Sequence, residues 1–131
     1  MVVGASPTPT CYIATVAGIP VFVRCGADLL LTGASLDLSA HARCPVCGGD
    51  IRFEVRRGKV ENLEPTGSLL YVVEEPGASD RVCVRCEGTH VFDGRACLDA
   101  WRAAWERAGT GPKGSAWAPQ AFLDRVRALG P

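Results

Sequence analysis

The sequence predicts an α+β fold, a small and mainly antiparallel β-sheet flanked by short helices. Two patterns carry this reading. Ile51, Phe53 and Val55 alternate with Arg52, Glu54 and Arg56, the period of two of a half-buried strand. Leu98, Trp101, Ala104 and Trp105 recur at helical spacing in RACLDAWRAAWER, residues 95 to 107. At 131 residues, 47% hydrophobic and 21% charged, the chain fits one globular domain, residues 1–131.

Taken in order, residues 1 to 10 are small, polar and proline-bearing, which predicts a loose arm. Residues 11 to 24 are β-branched and aromatic, and Gly18 and Pro20 divide them into a hairpin. Cys25 to Leu38 holds three consecutive leucines after Asp28, a short helix ending at Thr32 and Gly33. The period-two region runs from Ala40 to Val73, with a turn at Arg57-Gly58-Lys59, a return strand over Val60–Leu63 and a more buried strand over Ser68–Val73. Glu75–Asp80 reads as a loop. Arg81–Cys86 and Thr89–Phe92 read as two strand pieces broken at Glu87-Gly88. The helix over 95 to 107 stops at Gly109 and Gly111-Pro112. A loop with Trp117 then leads to a last helix, Pro119–Leu129, striped by Phe122, Val126 and Leu129.

Fourteen basic residues balance fourteen acidic ones, so the charge gives no electrostatic footprint for nucleic acid. No apolar run is long enough for a bilayer span, and MVVGASPTPT lacks the basic and apolar regions of a secretory signal. A cytoplasmic protein without a membrane partner is expected. Seven cysteines are the anomaly: Cys11, Cys25, Cys44, Cys47, Cys83, Cys86 and Cys97. An odd number in a reducing compartment points to thiolate or metal chemistry instead of a disulfide framework.

Cys44-Pro-Val-Cys47-Gly and Cys83-Val-Arg-Cys86-Glu-Gly form two CxxC knuckles. Each can turn two sulfurs toward one tetrahedral Zn²⁺ at ~2.3 Å. The 35 residues between Cys47 and Cys83 exceed the common zinc-ribbon spacing, though intervening hairpins can close it. Spacing alone leaves a structural zinc at Cys44, Cys47, Cys83 and Cys86, or four cysteines packed as small hydrophobes. Cys25 belongs to neither pair. At a helix start it shares the first turn with Asp28, where backbone N–H groups favour a thiolate and a protonated Asp28 can carry a proton. The plainer alternative is a packed Cys25 and a dipole-stabilising Asp28. His90 reads as a hydrogen-bonded structural histidine, His41 as exposed, Trp101 and Trp105 as core, and Cys11 and Cys97 as packing residues.

The order of these pieces resembles the catalytic domain of organomercurial (alkylmercury) lyases. Cys25-Gly-Ala-Asp28 is similar to the family's Cys-x-x-Asp at the head of a short helix. Ala42-Arg-Cys44-Pro-Val-Cys47-Gly48 resembles its following strand with a cysteine and a glycine. Val60–Pro65 resembles the segment leading into the central strand. Cys86-Glu-Gly-Thr-His90-Val-Phe92, with Trp101 eleven residues past His90, resembles its second catalytic cysteine, histidine-aromatic strand and tryptophan helix. The resemblance covers about residues 18 to 107. Arg24 stands where the family commonly has an aromatic residue, and the family's N-terminal helical domain is matched here by only the 24 residues before Cys25.

The resemblance implies a thiol-based lyase that cleaves a carbon–mercury or related bond by protonolysis without a cofactor. Cys25 and Cys86 would be the two thiols, Asp28 the proton carrier, and a small organomercurial the substrate. The alternative is a zinc-ribbon protein holding Zn²⁺ at Cys44, Cys47, Cys83 and Cys86. Such a protein is either a partner-binding module or an enzyme with other small-molecule chemistry at Cys25 and Asp28. The two readings compete for the sulfur of Cys86.

Overall fold

The computed structural model describes residues 2–74, 84–109 and 113–129. Eight strands and three helices run in the order β1 (Tyr12–Val16), β2 (Ile19–Phe22), α1 (Gly26–Gly33), β3 (Leu38–Arg43), β4 (Asp50–Arg56), β5 (Lys59–Glu64), β6 (Leu69–Glu74), β7 (Val84–Phe92), α2 (Arg95–Ala108), β8 (Ser115–Trp117) and α3 (Pro119–Leu129). The strands form two antiparallel sheets, one ordered β2-β1-β3-β4-β5 and the other β7-β6-β8. This is the α+β fold expected. No helix among the described residues is long and apolar enough to cross a membrane.

In the first sheet the period-two pattern sets the register. Leu38 faces Val55, Ala40 faces Phe53 and Ala42 faces Ile51, so one face of β3 and β4 is wholly buried. Three small residues on that face, Ala14, Ala40 and Ala42, leave room for α1. The helix is buried nearly all round, with Ala27, Leu29 and Leu30 inaccessible to solvent. Its two end glycines allow it to sit between the sheets: a Cβ at Gly33 would press on the Val55 side chain of β4, and one at Gly26 would overlap Val91 of β7.

The second sheet is built on β6, whose Leu70, Tyr71, Val72 and Val73 are all buried. The break expected at Glu87-Gly88 is a bulge within one continuous strand. Tyr71 pairs with His90 and Val73 with Arg85, so Cys86, Glu87, Gly88 and Thr89 stand opposite Val72 alone. The buried Thr89 hydroxyl replaces the missing ladder bonds, accepting from Val73 N at 2.9 Å and donating to Arg85 O at 2.7 Å. Gly88 takes φ +88°, and the Trp105 ring lies against it so closely that a Cβ would collide.

Other expectations are corrected in detail. The segment with Trp117 is the short strand β8, not a loop, and pairs with β6. Ala104 and Leu129 point to solvent, because the buried stripes of α2 and α3 are narrower than their spacing suggests. The N-terminal arm is pinned instead of loose: Val3 N donates to Thr32 Oγ1, Arg24 N to Gly4 O and Ser6 N to Phe22 O, and Ala5 forms a bridge with Val23. Helix α3 docks on the outer edge of β5 through Gln120, whose Oε1 accepts from Val60 N at 2.6 Å while its Nε2 donates to Gly58 O at 3.1 Å. The loop read over Glu75–Asp80, the strand residues 81–83 and the Gly111-Pro112 stop lie outside the described residues.

Truncating α1 at a fully enclosed side chain tests this packing. Leu30→Ala should cost about 2 to 5 kcal/mol in chemical denaturation. Ile19→Ala, 64% exposed on β2, should change stability by no more than about 0.5 kcal/mol.

Candidate functional site

Cys25 is the N-cap residue of α1, extended at φ −152° and ψ 171°, and its own side chain caps nothing. The helix carries Asp28 one turn on, and the bulge in β7 directs Cys86 toward both. One ligand atom from each of Cys25, Asp28 and Cys86 lies within 4.8 Å of the others. Cys25 and Asp28 are buried, whereas Cys86 is half-buried. Cys86 Sγ stands 3.8 Å from Asp28 Oδ2, and Arg24 Nε approaches the same oxygen from the solvent side at 3.7 Å. The pinned arm closes the other side. Gly4, at φ +72°, packs so tightly on the Asp28 carboxylate that any Cβ there would overlap it.

The protons are distributed unequally. Cys25 donates to Cys86, and this hydrogen bond, with burial and the nearby Asp28 charge, pushes the Cys25 thiol far up. The same bond holds the Cys86 thiol below its ordinary value, with burial opposing. Helix-start reasoning favours a thiolate at Cys25. The geometry reverses that preference: the buried Cys25 is pushed toward its protonated form and the more accessible Cys86 toward its anion. Burial raises the Asp28 carboxyl above the usual carboxylate range, with Arg24 only partly offsetting it. The group is thus a thiol held toward its protonated form, a second thiol shifted toward its anion and a carboxyl whose proton affinity is raised.

A second group of donors lies just past the C-terminal ends of β3 and β7. Cys44, Cys47, Asp93 and Cys97 each place one ligand atom within 4.8 Å of all the others. Cys86 is not in this group, so the zinc set expected from spacing is divided: Cys44 and Cys47 gather with Asp93 and Cys97, Cys86 sits with Cys25, and Cys83 lies outside the described residues. Cys47 Sγ donates to Asp93 Oδ2 at 2.7 Å. Burial pushes the Cys44 thiol up, but backbone N–H groups of Cys47, Asp93 and Val46 together bring it below its ordinary value. The Asp93 carboxylate holds Cys97 protonated, pushed up to about 12. From the sequence, Cys97 is expected only as a packing residue and Asp93 does not stand out. The signal was present as Asp-x-x-x-Cys across a strand end and the first turn of a helix.

His90 is structural, as read. Burial pushes its pKa down, and its Nδ1 shares a 2.7 Å hydrogen bond with the buried Tyr12 hydroxyl. Its ring meets Trp101 edge-on with centroids 5.1 Å apart, and Trp101 stacks on Trp105. His41 is half-buried and bonded to Asp50 at 3.0 Å, more engaged than expected. A surface recess of about 460 Å³ lies over the first sheet, between Thr15, His41, Arg52 and Glu64, and no cysteine lines it.

Two outcomes follow from the proton arrangement. Iodoacetamide at neutral pH should label Cys86 before Cys25, and Cys25→Ala should move the pH midpoint of Cys86 labelling upward, since the donor that stabilises its thiolate is gone. Asp28 has a raised folded-state pKa, so its contribution to stability is present at low pH and is lost as pH rises from the ordinary carboxylate value through the raised one. Asp28→Asn should therefore gain stability relative to the native chain as pH rises through that window, read from denaturation midpoints.

Comparison with known proteins bears on the fold and the family. A search of curated proteins gives no match. Among solved structures, one titled the mercury-bound form of MerB2 superposes with a TM-score of 0.70 at 22% identity, covering 96% of this chain and 62% of that one. The likeness is one of fold, and this chain spans less than two thirds of that protein. The family model described as MerB, alkylmercury lyase, matches residues 5–117. With that match over most of its length, the chain belongs to the alkylmercury lyase family.

Proposed function

We propose that this protein cleaves the carbon–mercury bond of a small organomercurial by protonolysis, with Cys86, Cys25 and Asp28 as the reacting groups. The observation that carries the reading is the meeting of one accessible, acidified thiol, one buried thiol and one buried carboxyl within 4.8 Å. Soft Hg(II) prefers thiolates to oxygen donors. The Cys86 thiolate displaces the substrate's outgoing anion and forms Cys86–S–Hg–R. Asp28 as carboxylate takes the Cys25 proton, and the Cys25 thiolate adds to the metal. Two sulfur donors enrich the mercury and weaken its bond to carbon. Asp28 then delivers the proton to the leaving carbanion. The products are R–H and a Cys86–S–Hg–S–Cys25 dithiolate, with Asp28 again ionised, and a thiol in solution must remove the Hg(II) for turnover.

This reading needs no cofactor, since the metal enters as part of the substrate. It treats residues 1–131 as a single catalytic domain working in the cytoplasm without nucleic acid or membrane. The arm over Asp28 serves as the local cover that keeps bulk water from the carboxyl.

The test is hydrocarbon release from methylmercury or phenylmercury in excess thiol, followed by gas chromatography. Cys86→Ala and Cys25→Ala should abolish release, and Asp28→Asn should slow it by about 10²- to 10⁴-fold, the usual worth of a placed acid. Release that persists in Cys86→Ala sinks the proposal.

A further inference from the structure

The second donor group has no part in this chemistry, and it is too complete to be casual. It draws on two chain segments far apart in sequence. Cys44 and Cys47 come from the knuckle after β3, which closes through Gly48 N to Cys44 O and Cys44 N to Gly49 O, both 2.9 Å. Asp93 follows the last residue of β7, and Cys97 lies in the first turn of α2. Gly48 takes φ +74°, and at Gly49 the Asp93 carboxylate and the Cys47 sulfur both come close to where a Cβ would stand. Gly49 N donates to Cys47 Sγ at 3.4 Å, the kind of backbone bond that supports a sulfur in its anionic form.

We infer that Cys44, Cys47, Asp93 and Cys97 bind one structural Zn²⁺. A tetrahedron with Zn–S of ~2.3 Å has sulfurs ~3.8 Å apart, so four donors already within 4.8 Å need only a small contraction. Three thiolates and one carboxylate select a borderline-soft ion over Mg²⁺ or Ca²⁺. Four protein donors leave no open position, which marks a structural centre. Binding replaces the Cys47 proton now shared with Asp93, and the thiol protons leave to solvent. The resulting negative charge faces the N-terminal end of α2, whose unpaired N–H groups favour it. The ion would tie the β3–β4 loop of one sheet to the β7–α2 junction of the other. It differs from the zinc set expected from the CxxC spacing in two of its four ligands, and it leaves Cys86 free.

The decisive experiment measures zinc by mass spectrometry on the 131-residue chain made in zinc-supplemented medium. The native chain should carry about one zinc per chain, and the Cys83→Ser, Cys86→Ser double variant should keep it. Cys47→Ser and Cys97→Ser should each weaken retention against a chelator by at least about 100-fold, more than loss of an outer-sphere partner costs. Should either single variant fail to fold, Co²⁺ titration of the stripped native chain and of the double variant decides the matter. Both should develop the thiolate charge-transfer and d–d bands of a tetrahedral sulfur-rich site. Absence of metal and of these bands overturns the inference. So does zinc lost with Cys83 and Cys86 but retained without Cys97.

Discussion

Everything else in this molecule depends on an eight-residue helix buried between two sheets. An element that short has little stability of its own, so its position comes from packing on every side. Gly33 allows it to touch Val55 and Gly26 allows it to touch Val91. A side chain at either end would separate the helix from one sheet. Because both ends are fixed, Cys25 and Asp28 are held at a defined place on rigid backbone instead of on a mobile loop. The burial that secures the helix also denies Asp28 water, and that raises its affinity for a proton. Structural support and chemical tuning thus have one cause.

The partner sulfur is placed by the opposite device, a departure from regular structure. A regular β7 would alternate its side chains across the sheet and offer no room for four residues opposite one. The bulge re-aims Cys86, and Thr89 satisfies the backbone that the bulge leaves unpaired. Tyr12 from the first sheet and the stacked tryptophans of α2 then brace the strand beside the bulge around His90. The two thiols consequently belong to elements of very different regularity and sit in very different solvent. That difference is enough to divide one proton unevenly between chemically identical groups.

Much of the fold was legible in the sequence because it is written in local periodicity. The alternation over Ile51–Val55 and the leucines of α1 report buried faces, and the tryptophan stripe of α2 a half-buried one. The order of Cys25, Asp28, Cys86 and His90 carried the family resemblance, and the family match agrees with it. What escaped was set by tertiary contact. Strand β8 is three residues long and exists because β6 had an open edge. The arm is polar and small, yet it is fastened by backbone bonds that no side-chain pattern announces. Which thiol is shifted toward its anion depended on which sulfur is more deeply enclosed. The grouping of Cys97 with Cys44 depended on two segments meeting across sheets.

The same fastenings have a consequence for the company the protein keeps. A five-stranded open sheet exposes two margins of unpaired amides, each a template on which a foreign strand can grow. Here the β5 margin meets the carboxamide of Gln120, which occupies Val60 N and Gly58 O as a neighbouring strand would. At the β2 margin, Pro20 removes one donor, while Ser6 and Ala5 engage Phe22 and Val23 just beyond it. A helix side chain and a few N-terminal residues therefore act as end stops, limiting edge-to-edge polymerisation without lengthening the sheet.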